Sequence, residues 1–330
     1  MKYLVVDAAN TFFRGRHIAH RGSDMWDKLG LSLHVTLGAV NKCFQSFKAD
    51  HVVFCLEGRS WRKDFYAPYK AQRKAQRMAK TEAEQEEDRL FFEAFDDLCT
   101  FLKEKSNCTV LQNSIAEADD MIARFIALHP NDEHIIVSSD SDYYQLLTES
   151  VSQYNGITDE HITLDGYFDA KGKPVIDKKT KEQKQIGDPN YVLFEKCMRG
   201  DSSDNIFSAY PGVRKKGTKN KVGLIEAFAD KNTKGFNWNN MMLQRWVDHN
   251  GQEHRVIDDY NRNVQLIDLT AQPVEIKDFV DETIREASVI KQNPMVGAKF
   301  LKFCGKYDLN KISEQATAYS QWLQAPYKEK

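Results

Sequence analysis

"SIAEADDMIARFIALHPNDEHIIVSSD", residues 114–140, is the stretch that decides the fold. Ile115, Met121, Ile122, Phe125 and Ile126 recur at helical spacing and predict an amphipathic helix over 115–129. The run "HIIVS" at 134–138 is short, apolar and β-branched, as a buried strand is. A helix feeding such a strand is a piece of an α/β unit. Ser114 and Glu117 fit a capping box, and acids suit the positive end of a helix. Capping does not require Asp119 and Asp120, so this helix start carries more carboxylate than its stability needs.

The pattern extends toward both ends. "YLVV" (3–6), "VVFCL" (52–56) and "VSQYN" (151–155) read as further strands, with another near Thr109–Gln112. Helical patterns occupy roughly 31–48 and 82–105. The expected fold class is therefore α/β, a mainly parallel central sheet flanked by helices. Residues 165–190 are polar, with Gly, Pro and Lys, and read as an exposed hairpin or loop. Beyond about 190 the strand signals stop, and 190–198, 222–229, 240–249 and 253–269 all fit helices. The simplest division is a mixed domain over 1–185 and a helical domain over 186–330.

A chain of 330 residues, 41% hydrophobic and 28% charged, has the composition of a soluble globular protein. No window approaches a membrane-spanning helix, and the apolar run in "MKYLVVDAAN" is too short for a signal peptide. Six cysteines without CxxC or paired spacing read as reduced, structural thiols, which argues against a thiolate zinc site and points to the cytoplasm. Net charge is −2, yet residues 59–80, "RSWRKDFYAPYKAQRKAQRMAK", carry eight Lys or Arg against one Asp. "EAEQEED" at 82–88 reverses the sign, and "RKKGTKNK" at 214–221 is basic again. Such local patches, rather than the net charge, steer a polyanion.

The acids fall in a pattern. Three expected strands run into Asp7, Glu57 and Asp140, with Asp142 two residues further. Ligands of open α/β sheets sit beyond the carboxyl ends of the strands. Parallel strands would gather these acids on one edge, and the helix opening near 115 would add Glu117, Asp119 and Asp120. "MRGDSSDN" contributes Asp201 and Asp204, three residues apart on one face of a helical turn. Two unit charges about 4 Å apart repel by roughly 4 kcal/mol at an effective dielectric near 20. Acids so gathered require cations, and hard divalent ions such as Mg²⁺ take oxygen ligands and keep waters for a phosphate. Two such ions about 4 Å apart suit phosphodiester hydrolysis. For any single acid the ordinary alternative is a solvated loop carboxylate.

"VDAANTFFR", "FCLEGRSWRKDFYAPYKAQR", "AEADDMIA", "VSSDSDYYQLL" and "MRGDSSDNIFSAYPGV" occur in the order of the 5′-nuclease superfamily. From residue 1 to about 230 the chain resembles its flap endonucleases and 5′–3′ exonucleases of bacteriophage type, phage ribonuclease H included. The resemblance implies a PIN-like fold and a two-metal phosphodiesterase. Its metal ligands match Asp7, Glu57, Glu117, Asp119, Asp120, Asp140, Asp142, Asp201 and Asp204, for Mg²⁺ with Mn²⁺ as a substitute. Glu57 departs from the family's usual Asp. "YAPYKAQR" matches an element at the base of a helical arch, expected here over about 59–105. By that match Lys70 and Arg73 contact the scissile phosphate, and Tyr69 stacks on a base. Arg62, Lys63 and Arg77 belong to a basic run interleaved with aromatics, which suits single-stranded nucleic acid. Arg14 and Arg16 are further phosphate candidates, with a surface ion pair as the alternative for Arg16.

"YPGVRKKGTKNKVGLIEAF" (210–228) resembles the family's helix–three-turn–helix, expected over about 198–228. Gly212 with Arg214, Lys215, Lys216, Lys219 and Lys221 would then contact the backbone of a duplex. The short "PGxG" turn of the family is replaced, which leaves a K⁺ site there open. The implied substrates are DNA with a 5′ flap or 5′ end, or an RNA–DNA hybrid, cut by a monomeric, stand-alone enzyme. The C-terminal hundred residues either dock a polymerase or single-strand-binding protein or complete the core. A PIN-type single-strand ribonuclease is the alternative enzyme, although it needs neither the basic run 62–80 nor the duplex grip. A nuclease-like fold that binds without cutting is the alternative outside enzymes, and there the acids would be lost.

Overall fold

The computed structural model describes residues 1–18 and 24–328. The elements begin with β1 (Lys2–Asp7), α1 (Ala8–Ile18), α2 (Met25–Phe47), β2 (His51–Cys55), α3 (Arg62–Phe65) and α4 (Gln72–Met78). Next come α5 (Glu82–Lys105), β3 (Thr109–Leu111), α6 (Ala118–Leu128), β4 (Glu133–Val137), β5 (Val151–Asn155), β6 (Glu160–Thr163) and β7 (Gly166–Phe168). The chain continues through α7 (Pro189–Arg199), α8 (Leu224–Ala229), α9 (Phe236–Met242), β8 (Arg245–Val247), β9 (Glu253–Arg255) and α10 (Val256–Ile267). It closes with α11 (Val274–Ala287), α12 (Val296–Lys306), α13 (Asn310–Ser313) and α14 (Ala316–Gln324). Among the described residues no helix is long and apolar enough to cross a membrane.

Two compact units result. The first comprises Met1–Ser60, Lys80–Gln185 and Val274–Lys330, and the second Trp61–Ala79 and Ile186–Pro273. This departs from the expected division at 185/186 in two segments. Residues 274–330 return to the first unit because α12 and α14 carry large apolar side chains. Val296, Phe300, Phe303, Trp322 and Leu323 share one core with Leu33 and Val40 of α2, Phe54 of β2 and Phe91 and Leu98 of α5. Burying each such side chain stabilises by about 1.5–3 kcal/mol, ample to hold the returning chain.

In the first unit one sheet has the order β3-β2-β1-β4-β5-β6-β7. Neighbours from β3 through β5 are parallel, and β6 and β7 add antiparallel at one edge. β1 is buried from Tyr3 onward, as the continuous apolar run of a strand covered on both faces requires. The register sets Asp7 opposite Cys55, so Glu57 lies two residues past it, while Val6 opposite Val137 puts Asp140 three residues past its neighbour. The chain passes from β1 to β2 to β3 on one side, and α6 then leads to β4 on the other side of β1. In open α/β sheets such a reversal of strand order, here between β1 and β4, is where ligands bind beyond the carboxyl ends of the strands.

α5 is held by a Thr81–Glu84 capping box and buries Phe91, Ala94, Phe95, Leu98, Phe101 and Leu102 at helical spacing. α6 starts later than 115. Its N-cap is Glu117, boxed with Asp120, and Ser114 lies outside the helix. Residues 165–190 are partly ordered as β7 and two further bridges, Phe168 with Pro174 and Ile176 with Gln183.

The core of the second unit gathers Tyr69, Phe194, Trp238, Met241 and Tyr260. Here the expected helix over 240–249 is corrected, and strands do recur past 190. α9 stops at Met242, and β8 and β9 form an antiparallel hairpin. Gly251 supplies a positive φ of 81° in its turn, and the Trp246 and His254 rings stack at 4.4 Å. The Trp246 indole also donates to the Ala209 carbonyl at 3.0 Å, a tertiary bond that helical periodicity does not register.

Candidate active site

Parallel pairing brings the acids of the first unit to one sheet edge. Asp7, at the end of β1 and 6% exposed, accepts from Ser138 Oγ and the Tyr143 hydroxyl at 3.1 Å each, and from the Asn10 amide at 3.1 Å. Glu57 accepts from the Ala118 amide of α6 at 3.2 Å. Two backbone bonds fasten the same loops together, Gly58 N to Ala116 O at 3.0 Å and Arg59 N to Ser114 O at 3.1 Å. Ser60 Oγ donates to Glu117 at 2.8 Å. Gly58 is required by this closeness, since a Cβ there would lie 1.9 Å from Asn113 O and 2.6 Å from Ala116 O.

Glu117, Asp119 and Asp120 each offer an oxygen within 4.8 Å of the others, and Glu117 and Asp120 are buried. The cap explains part of this crowding, because Asp120 accepts from the Glu117 amide at 3.1 Å. Asp119 has no place in the capping box, although it accepts from the Asp120 amide at 2.7 Å. Beyond β4, Asp140 accepts from the Asp142 amide at 2.9 Å and leads a 3₁₀ turn over Ser141–Leu146. Burial pushes the Tyr143 hydroxyl well above its ordinary pKa, and the charges of Asp7, Asp119, Asp140 and Glu57 push it further. Burial likewise raises the Cys55 thiol, helped by Asp7 and Glu57. One buried phenol thus feels four of the expected acids, which come from β1, the loop after β2, α6 and the loop after β4.

Oxygen-only donors at close spacing, with buried members, fit a hard divalent cation. Asp7 shows how this unit holds such charge, through neutral donors from Ser138, Tyr143 and Asn10. These three and Ser60 are site residues that sequence reading missed. For Ser60, Ser138 and Tyr143 the available signal was a polar side chain within a buried stretch, as for Gln153 in β5, whose amide donates to the carbonyls of Ser138 and Asp140 at 2.8 and 2.7 Å, whereas Asn10 acts through its backbone amide and gives no such signal.

The other expected residues sit as follows. Arg16 is ion-paired with Glu87 and Asp88, the surface-pair alternative. Arg14 is partly buried, its guanidinium against Gly156, and burial lowers its pKa. In the second unit Asp201 pairs with Lys196 at 2.8 Å, and Asp204 with Arg73 at 3.0 Å and Lys70 at 3.6 Å. The segment carrying Lys70 and Arg73 is pinned further, by Lys70 N to Asp204 O at 2.8 Å and Asn205 Nδ2 to Pro68 O at 2.7 Å.

Two nucleic-acid expectations there are corrected. Tyr69 is 2% exposed and donates to Asp204 at 3.2 Å, so its ring is core and does not offer a stacking face. Arg62 is fully buried, donating to the Leu266 carbonyl at 2.8 Å, and cannot reach a phosphate without unfolding its surroundings. Lys63 and Arg77 are exposed, as are Arg214, Lys215, Lys216, Lys219 and Lys221. The last five surround a turn in which Gly212 has φ 75° and the Gly217 and Gly223 amides both bond Glu226 of α8.

Residues 2–179 match the family model of the 5′–3′ exonuclease N-terminal resolvase-like domain. The chain belongs to the 5′–3′ exonuclease family. It is 27% identical over 232 residues to the flap endonuclease Xni of Shewanella loihica, covering 69% of this chain and 77% of that one. It is 25% identical over 230 residues to the flap endonuclease of Escherichia phage T5, covering 69% and 70%. The structure of T5 5′-exonuclease with zinc bound shares the fold, with a TM-score of 0.58 at 20% identity over 87% of this chain and 99% of that one. The chain is a 5′ nuclease, and the acids of its first unit form the candidate metal centre.

Proposed function

We propose that this nuclease hydrolyses phosphodiesters at the junction of a 5′ single strand with duplex, using two Mg²⁺ ions. The proposed ligands in the first unit are Asp7, Glu57, Glu117, Asp119, Asp120, Asp140 and Asp142. Ions bound there would lower the pKa of a water and neutralise the leaving oxygen. The chain's own part is to fix the oxygens. Ser138 and Tyr143 orient the Asp7 carboxylate, and the Gly58 contact holds Glu57 to the start of α6. Arg73 and Lys70 supply positive charge for a substrate phosphate, with Asp204 holding both side chains in place beforehand. The observation that carries the reading is the convergence of Glu117, Asp119 and Asp120 within 4.8 Å. Support also comes from the names of the relatives, two of them flap endonucleases, and from zinc bound to the T5 enzyme.

The test is cleavage of a labelled 5′-flap DNA duplex with and without Mg²⁺, comparing the parent with Asp142→Asn. Mg²⁺-dependent cutting near the flap base, lost in a variant that still binds, is the expected result. A folded parent that binds the flap but does not cut it overturns the reading. Cutting of single-stranded RNA alone replaces it with the ribonuclease.

A further inference from the structure

The segment after β6 has no part in the chemistry above, yet it is built with care. Past β7 the chain folds back twice as a ribbon on the sheet edge. Val175 N donates to Tyr167 O at 2.8 Å, Lys184 N to Val175 O at 2.8 Å, and Tyr167 N to Lys184 O at 3.1 Å. Ile176 and Gln183 make the last bridge. Beyond it Asp177 turns its carboxylate inward, accepting from the amides of Lys179 and Thr180 at 2.8 and 2.9 Å. Lys181 N closes the turn on Asp177 O at 3.0 Å. Asp177 is thus spent on backbone, while Lys178, Lys179 and Lys181 are all exposed and outnumber the one other exposed acid beside them, Glu182.

Lysines on a sheet edge commonly serve to block pairing with another chain. That explanation does not reach these three, because they lie past the last bridge, where there is no ladder edge to protect. Lys181 also has φ 63°, a left-handed conformation that Gly or Asn adopts at lower cost.

We propose that the Lys178–Lys181 turn binds the phosphate backbone of the duplex part of the substrate. The proposal rests on the nuclease reading and adds a contact outside the metal centre. Duplex is favoured over single strand because the turn offers no exposed aromatic ring on which unpaired bases stack. The Tyr167 ring, in the strand beside this ribbon, is covered by Lys184 Nζ at 3.9 Å from its centroid. Isolated cations without base-reading groups give register and affinity, not sequence preference.

The experiment measures binding of fluorescein-labelled 5′-flap DNA, blunt duplex and single strand by anisotropy across a KCl series in EDTA. The full-length parent is compared with Lys178→Ala, Lys179→Ala and Lys181→Ala combined, and with the three Arg replacements. Each lost duplex contact lowers the slope of log K against log salt by about 0.9. The expected result is a slope smaller by roughly 2–3 on both duplex substrates, binding about tenfold weaker, and single-strand binding unchanged. The Arg variant retains the parental slope. An unchanged duplex slope in the Ala variant overturns the proposal, as does equal loss on single strand. A parent that neither binds nor cuts overturns the nuclease reading itself, whereas a parent that cuts, with an unchanged slope in the variant, overturns only this contact.

Discussion

Gly58→Ala perturbs the site without touching a carboxylate. The new Cβ would stand 1.9 Å from Asn113 O, where ordinary contact begins at 3.4 Å, and 2.6 Å from Ala116 O. Both obstacles are backbone, so relief requires the loop before α6 to move away from the loop after β2 by about 1.5 Å. Four bonds cross that seam: Gly58 to Ala116, Arg59 to Ser114, Ser60 to Glu117, and Ala118 to Glu57. At about 1 kcal/mol net for each, losing two to four costs roughly 2–4 kcal/mol of stability. The seam also holds Glu57 to the start of α6 through the Ala118 amide, and a displacement of about 1 Å in a catalytic constellation costs on the order of 10²-fold in rate. The assay pairs urea denaturation with Mg²⁺-dependent flap cleavage at a temperature where the variant is folded. A variant with parental stability and a rate within threefold of the parent would refute the claim that this contact positions the acids.

Asp119→Asn removes one of three crowded charges, whose pairwise repulsion reaches roughly 4 kcal/mol at about 4 Å. Its Tm in EDTA should match or exceed the parent's, while the Mg²⁺-induced gain in stability, about 2.7 kcal/mol for the parent at a hundredfold excess over Kd, should shrink and cleavage vanish. A variant stabilised by Mg²⁺ as strongly as the parent contradicts the ligand assignment. Arg62→Ala should cost about 2–4 kcal/mol as a buried polar anchor is lost, whereas Lys63→Ala leaves Tm unchanged; thermal melts of the two decide it. Burial holds His51 and His134 down to about 4 from the ordinary 6.5. Both stay neutral when folded, so their stability contribution is complete above pH 6.5 and lost as pH falls toward 4. At pH 5 each loses about 2 kcal/mol. His134→Phe keeps a ring against Tyr3 and should flatten the fall in urea midpoint between pH 7.5 and 5; an unchanged slope would be the contrary result.

The strands of the parallel sheet and the acids that end them are legible in local pattern alone. "YLVV", "VVFC" and "HIIV" are buried on both faces, so each reads as an unbroken apolar run, and a polar residue marks where burial stops. Parallel pairing then does the rest, because strands aligned in one direction must present their ends on one edge. What lies between units of local pattern depends on which distant segments pack together. Trp246 belongs to a hairpin because it bonds Ala209, 37 residues away. Arg62 and Tyr69 are core because Leu266 and Asp204 cover them, although a basic, aromatic stretch looks like a solvent face. Asn10, Ser60, Ser138 and Tyr143 serve the acids through partners up to 136 residues distant. Gly58 is needed because a backbone more than fifty residues later runs against it. Periodicity reports which side of an element is buried. What buries it, and which neutral donor meets a buried charge, is fixed only when distant segments close on one another.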